Sequence, residues 1–242
     1  MKSLIAFFNI LKKDINNYYL KPPNISWGII FPLSWTLMQL LRSPDSNILE
    51  LLPGLISTSV LFGTTSMLAV TITFERSGRS FERLLLAPIS INTLMLAKIT
   101  GTILFGMFNA FVPVILAGFF IDLSGVNWLM VSAAVFLIAV TSSLLGLLVA
   151  VSVEQVFEAQ TLSNFFRFPM LFLCGLFIPV ANLPWFLKPV SYCLPLTYGA
   201  DILKGAIISK NSLSLTLSFI MLLIFSVILF IISRYNIEKK QI

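Results

Sequence analysis

The chain contains no histidine. That removes imidazole metal ligands, histidine-based nucleophile triads and histidine proton relays together. Charge is scarce as well. Asp, Glu, Lys and Arg make up 11% of 242 residues, where soluble domains average about 25%. Two cysteines, Cys174 and Cys193, are too few for a disulfide framework. Cys174 falls inside an apolar run and Cys193 lies beyond it, so packing accounts for both better than pairing. There is no Walker A loop to cradle a phosphate and no G-x-S-x-G elbow. Low-complexity tracts are missing too. The two halves of the chain show no match, which argues against an inverted-repeat secondary transporter.

Apolar surface is abundant. Hydrophobic residues make up 57% of the chain, Phe alone occurs 22 times, and the mean hydropathy is +0.96. A soluble fold of this length cannot bury every long apolar segment in one core, so the chain reads as an integral membrane protein. The net charge of +6 is spread over loops and tails and forms no patch, which argues against nucleic acid as a partner. Lys2 and the apolar stretch behind it mimic a signal peptide. The run is short, Lys12-Lys13-Asp14 breaks it, and no small-residue cleavage pattern follows, so it is read as retained.

Within residues 1–23, Leu4, Phe7, Phe8, Leu11, Ile15, Tyr18 and Tyr19 recur at helical spacing, with Asn9, Lys12, Lys13, Asn16 and Asn17 largely opposite. This pattern predicts an amphipathic helix lying in the membrane interface, ended by Pro22-Pro23. Six apolar segments follow, at 25–41, 51–74, 93–121, 128–153, 162–180 and 213–233. A span needs about 20 residues to cross roughly 30 Å of hydrocarbon. The predicted fold is thus all-α, a single transmembrane domain of six spans over 1–242.

With a cytoplasmic N-terminus, the inner segments hold twelve Lys and Arg, including Lys12, Lys13, Arg76, Lys98 and Arg167. The outer segments hold four, namely Arg42, Lys188, Lys204 and Lys210. That bias places both termini in the cytoplasm. The outer connection at 181–211 carries three prolines, Trp185, Phe186, Tyr192 and Tyr198 among apolar residues. It is too apolar for a solvated loop and predicts short re-entrant helices.

The stretch 73–90, TFERSGRSFERLLLAPIS, stands apart. Of 16 basic and 10 acidic residues in the chain, five lie here: Glu75, Arg76, Arg79, Glu82 and Arg83. Such a cluster belongs in water or at the membrane surface. The arginine spacing, with Phe81, Leu84 and Leu85 opposite and Pro88 as the stop, predicts a short amphipathic cytoplasmic helix over 75–90. Snorkelling arginines explain the charges alone. Both signs beside an exposed apolar edge fit a docking surface for a soluble partner better.

Other candidate residues are sparser. Span two is unusually polar, with Ser57, Thr64 and Thr65 as candidate pathway lining. Span four repeats small residues at Ser142, Gly146 and Ala150, a packing pattern. Glu154 and Glu158 lie four apart at the end of span four, as a hydrated helix end or a cytoplasmic gate. Asp122, Glu154 and Glu158 all sit at span ends, and no charged group was expected deep in the bundle. An ion-coupled or passive carrier without an ATPase is the alternative reading, and it requires such a group. An intramembrane enzyme would need paired catalytic side chains, which the missing histidines disfavour.

Three motifs in order resemble the ABC-2 class of ABC transporter permeases. The first is Glu75-Arg76-Ser77-Gly78-Arg79-Ser80-Phe81-Glu82-Arg83-Leu84-Leu85-Leu86-Ala87-Pro88, with Ser77 where the family has a charged residue and Arg79 where it has Thr. The second runs from Pro169 to Pro179 and on to Asn182-Leu183-Pro184. The third is Leu194-Pro195-Leu196-Thr197-Tyr198-Gly199-Ala200-Asp201. The resemblance implies a permease without an ATPase site or cofactor of its own. It implies a second permease, an identical one in a homodimer, and two copies of a separate ABC ATPase subunit. The loop after span two would be the coupling helix, with Glu75, Arg76, Gly78, Arg79, Glu82, Arg83 and Pro88 at the ATPase. Tyr198 and Asp201 would belong to the outer gate. Export of a drug, lipid or lipid-linked glycan across the cell membrane would follow.

Overall fold

The computed structural model describes residues 2–19, 22, 26, 30–42 and 48–240. The first part of span one, with Trp27, and the loop after that span lie outside the described residues. Helices dominate, and no strand occurs among the described residues.

Helix α1 (Lys2–Asp14) runs into a π-helical turn, Ile15–Tyr19. It turns Ile10 and Asp14, one helical turn apart, into the protein, and leaves Leu4, Ile5 and Phe8 exposed. That is the face expected of a helix lying against lipid. Helix α2 (Phe31–Arg42) packs Phe31 on Phe62, with ring centroids 4.4 Å apart.

Helix α3 (Ile48–Ser77) is the axis of the molecule, and every residue from Leu52 to Thr73 is buried. Its hydroxyls would be costly there without partners. Ser57, Thr58, Thr64 and Thr73 each donate to the carbonyl one turn back, at 2.7–2.8 Å. Helix α3 continues to Ser77, so Glu75 and Arg76 end the long helix. The short helix α4 covers only Ser80–Leu85, entered through Arg79 in a left-handed conformation (φ 54°). Helix α5 (Ile91–Gly118) starts where the Ser90 hydroxyl accepts from the Thr93 amide, and helix α6 (Trp128–Ser152) where Asn127 caps Met130.

Helix α7 (Val156–Leu173) begins and ends earlier than the apolar run 162–180 suggests. The chain leaves it at Cys174 and turns at Gly175, which has a φ of 81°. Beyond lie a 3₁₀ turn (Val180–Asn182), helix α8 (Lys188–Tyr192), helix α9 (Pro195–Ile208) and the long helix α10 (Leu215–Lys240). Both cysteines are free. Cys174 is buried, whereas Cys193 is exposed and so does not serve packing.

Helices α5, α6, α7 and α9 all pack on α3. Among the described residues, α3, α5, α6 and α10 are long and apolar enough to cross a membrane. Helix α7 falls short because Glu158, Gln160, Asn164 and Arg167 interrupt it. Leu223, Val227 and Ile231 of α10 project outward, as lipid contact requires.

Candidate functional site

The charged residues of 73–90 gather at one end of the bundle, and the structure divides them into two sets. The buried set ties helices together. The Glu75 carboxylate is fully buried, and Lys98 of α5 donates to it at 2.6 Å. The same ammonium reaches both carboxylate oxygens of Asp14 on α1, at 2.9 and 2.8 Å. Lys13 closes the group by pairing with Glu75. Two cations therefore meet two anions across α1, α3 and α5. Each ion taken from water costs several kcal/mol, so only mutual pairing makes this burial tolerable. Burial pushes the Asp14 carboxyl up, to about 6, against the pull of Lys98. Arg76 adds a fourth helix by donating to the carbonyls of Val153 at 2.6 Å and Ala150 at 3.3 Å, at the end of α6. A cation at a helix C-terminus is favourable there.

The apolar edge expected to face a partner faces inward. Phe81 is buried in a cluster with Ile10, Ile72, Met95 and Val151, and Leu84 and Leu85 pack against it. This anchors α4 to the bundle. The exposed set is Gly78, Arg79, Glu82, Arg83, Leu86 and Pro88. Arg83 folds back on the carbonyls of Arg79 and Gly78, at 3.2 and 3.4 Å, bracing the turn. Leu86 is 86% exposed and stands beside these charges.

The remaining candidates lie elsewhere. Ser57, Thr64 and Thr65 are buried between helices, their hydroxyls bonded to their own helix. Thr64 packs at Gly106, and the Thr65 backbone lies so close to Gly146 that an added Cβ would come within 2.8 Å of its carbonyl oxygen. In this chain the polar run thus serves close packing. Glu158 accepts from the backbone amides of Glu154 and Gln155, at 3.2 and 3.3 Å, and caps α7. The Tyr198 hydroxyl donates to the Tyr192 carbonyl at 2.8 Å. Asp201 accepts from the Ser212 amide at 2.6 Å and from the Ser218 hydroxyl at 3.3 Å, fixing the approach to α10. Near it, at the other end of the bundle from Glu75, Glu50, Leu176, Phe177, Lys204 and Lys210 border a cavity of about 400 Å³.

One charged group was counted among the inner loops and is found inside the bundle. Arg167 of α7 is fully buried. Its guanidinium lies 5.1 Å from the ring centroid of Phe62, half-way along α3. Among the described residues it donates from one Nη to the Asn164 side-chain oxygen at 3.3 Å.

The family model described as ABC-2 type transporter matches residues 5–208, from α1 through α9. The chain belongs to the ABC-2 type transporter family. The inner membrane transport permease YadH of Escherichia coli K12 is 26% identical over 247 residues, covering 98% of this chain and 96% of that protein. The protein of the same name from Shigella flexneri aligns equally well. This ABC-2 chain is therefore a multi-pass membrane transport permease. Membership implies pairing with an ABC ATPase subunit and marks the chain as a transporter component rather than a catalytic enzyme.

Proposed function

We propose that this permease forms the membrane half of an ATP-driven exporter, with two permease copies above two copies of a separate ATPase. All six segments span the membrane, and both termini lie in the cytoplasm. ATP binding closes the ATPase pair, and α4 receives that motion. The cargo is an amphiphile moving outward: a drug, a lipid or a lipid-linked glycan.

The observation that carries this reading is the construction of α4. Phe81 roots it in the bundle, while Arg79, Glu82, Arg83 and Leu86 stay exposed on one side. Such a surface combines an apolar contact with charges of both signs, which gives a partner register as well as affinity. Glu75 and Arg76 join the base of α4 to α1, α5 and α6, so a push there is shared by four helices. In this reading Arg79, Glu82 and Arg83 touch the ATPase, Gly78 and Pro88 set the ends of the element, and Glu75 and Arg76 transmit. Ser57, Thr64 and Thr65 then belong to the wall that rearranges, Glu154 to its inner margin, and Tyr198 and Asp201 to the outer lid.

The test is the triple substitution Arg79→Ala, Glu82→Ala, Arg83→Ala, reconstituted with the ATPase. Cargo-stimulated ATP hydrolysis should collapse. Thermal unfolding of the isolated permease should stay within about 0.5 kcal/mol per site, because exposed side chains contribute little to folding. Stimulation that survives the triple change rules out α4 as the entry point for work.

A further inference from the structure

Half of the side-chain nitrogen and oxygen atoms that are buried without a hydrogen-bond partner among the described residues belong to one seam, between α3 and α7. On α7 they are the Gln160 amide, the Ser163 hydroxyl, and Nε and one Nη of Arg167. Positions 160, 163 and 167 share one helix face. On α3 they are the Ser59 and Ser66 hydroxyls. Those two flank Phe62, the residue Arg167 rests on, at spacings of three and four. Elsewhere on α3, hydroxyls satisfy themselves on their own helix. At this seam they do not.

The charge is the sharper anomaly. A guanidinium buried in a membrane bundle is costly without a partner, and the described residues place no carboxylate against it. Helices α5 and α6 and residues 31–42 contain no carboxylate. On α3, Glu50 pairs with Lys210, and Glu75 is held by Lys13 and Lys98. On α7, Glu158 caps its own helix. On α9, Asp201 is taken up by the lead-in to α10. Arginine keeps its proton at any physiological pH, so the group is no proton relay and does not revive an ion-coupled carrier.

We propose that Arg167 is the counter-charge for the acidic group of the cargo. The exporter thus takes an anionic amphiphile, with a phosphate or carboxylate that meets Arg167, Ser163 and Gln160 when α3 and α7 part. The planar fork of arginine suits two oxygens of such a group, and the serines complete a polar lining. The proposal rests on the exporter reading and narrows its cargo to one charge class.

The test uses the full chain in phosphatidylcholine nanodiscs, with three probes of equal chain length: dodecyl phosphate, dodecyl maltoside and dodecyltrimethylammonium. Dodecyl phosphate should bind most tightly and raise the Tm of the permease. Arg167→Met should weaken its binding roughly tenfold or more, the range expected for a hydrogen bond to a charged group, and leave the other two unchanged. Arg167→Lys keeps the cation and should retain part of the preference. It also shows that loss in the Met variant is not misfolding. Equal binding of all three probes, or an undiminished phosphate preference in Arg167→Met, overturns the proposal. ATP hydrolysis with the ATPase present is read separately. Hydrolysis stimulated equally by all probes removes the charge preference and keeps the exporter. Selective binding with no coupling to an ATPase removes the exporter and keeps the anion site.

Discussion

At the Ser77 end of α3, two lysines face two carboxylates. Half-way along the same helix, Arg167 faces a phenylalanine ring and a single asparagine. Both sites bury charge, the first all but the partly exposed Lys13, yet only the first is balanced. The balanced site joins α1, α3 and α5 and has no capacity left for a ligand. The unbalanced one leaves donors unspent. Burial alone therefore does not single out a charge, whereas burial without a carboxylate among the described residues does.

Four single substitutions and one joint replacement test that contrast, each read as a shift in Tm or denaturation midpoint of the purified permease. Lys98→Ala should act most strongly, costing about 3–5 kcal/mol, because Asp14 and Glu75 are left as adjacent buried anions. Replacing Lys13, Asp14, Glu75 and Lys98 together by apolar residues should recover most of that loss. No recovery would mean that the ions do more than cancel one another. Arg167→Met should change stability in the opposite direction, a gain of about 1–3 kcal/mol, since buried donors without acceptors are removed. A loss of that size would instead reveal a hidden partner and erase the distinction between the sites. Glu158→Ala should cost about 1 kcal/mol, the value of a helix cap, because its carboxylate is held by backbone amides alone. Glu82→Ala should be the smallest, under about 0.5 kcal/mol, as expected for an exposed side chain.

Much of the helical scaffold was legible from apolar run length. The segment 128–153 predicts α6 (Trp128–Ser152) to within a residue, because Asn127 offers a cap and no charge intrudes. The segment 93–121 meets α5 (Ile91–Gly118) nearly as well. Run length failed for α7. There polar residues open the helix at Val156, before the apolar run begins, and Gly175 turns the chain while that run continues. The site was legible in its residues but not in their facing. Phe81, Leu84 and Leu85 were recognised as one apolar side, yet nothing local says whether such a side meets a partner or its own bundle. Ile10 and Val151, which cover it, are 71 and 70 positions away. Asp14 and Lys98 lie 84 positions apart, so no periodicity could pair them. Arg167 was counted with the inner segments, although it falls within the apolar run 162–180. Only the packing of α7 against α3 brings it inside.

The unbroken burial of α3 has a mechanical side. A helix of 30 residues is a rod of about 45 Å, gripped along its length by neighbours on every side. Tilted by about 5° around its Ser77 end, such a rod carries its far end through about 4 Å, enough to widen or shut a passage without unfolding anything. Close to that far end sits Pro53, whose missing amide removes one backbone bond and makes the last turns the softest part of the rod. The first residues of α3, with Glu50 at the cavity it shares with Lys204 and Lys210, can thus bend independently of the stiff shaft below them, like the fingers on a crank.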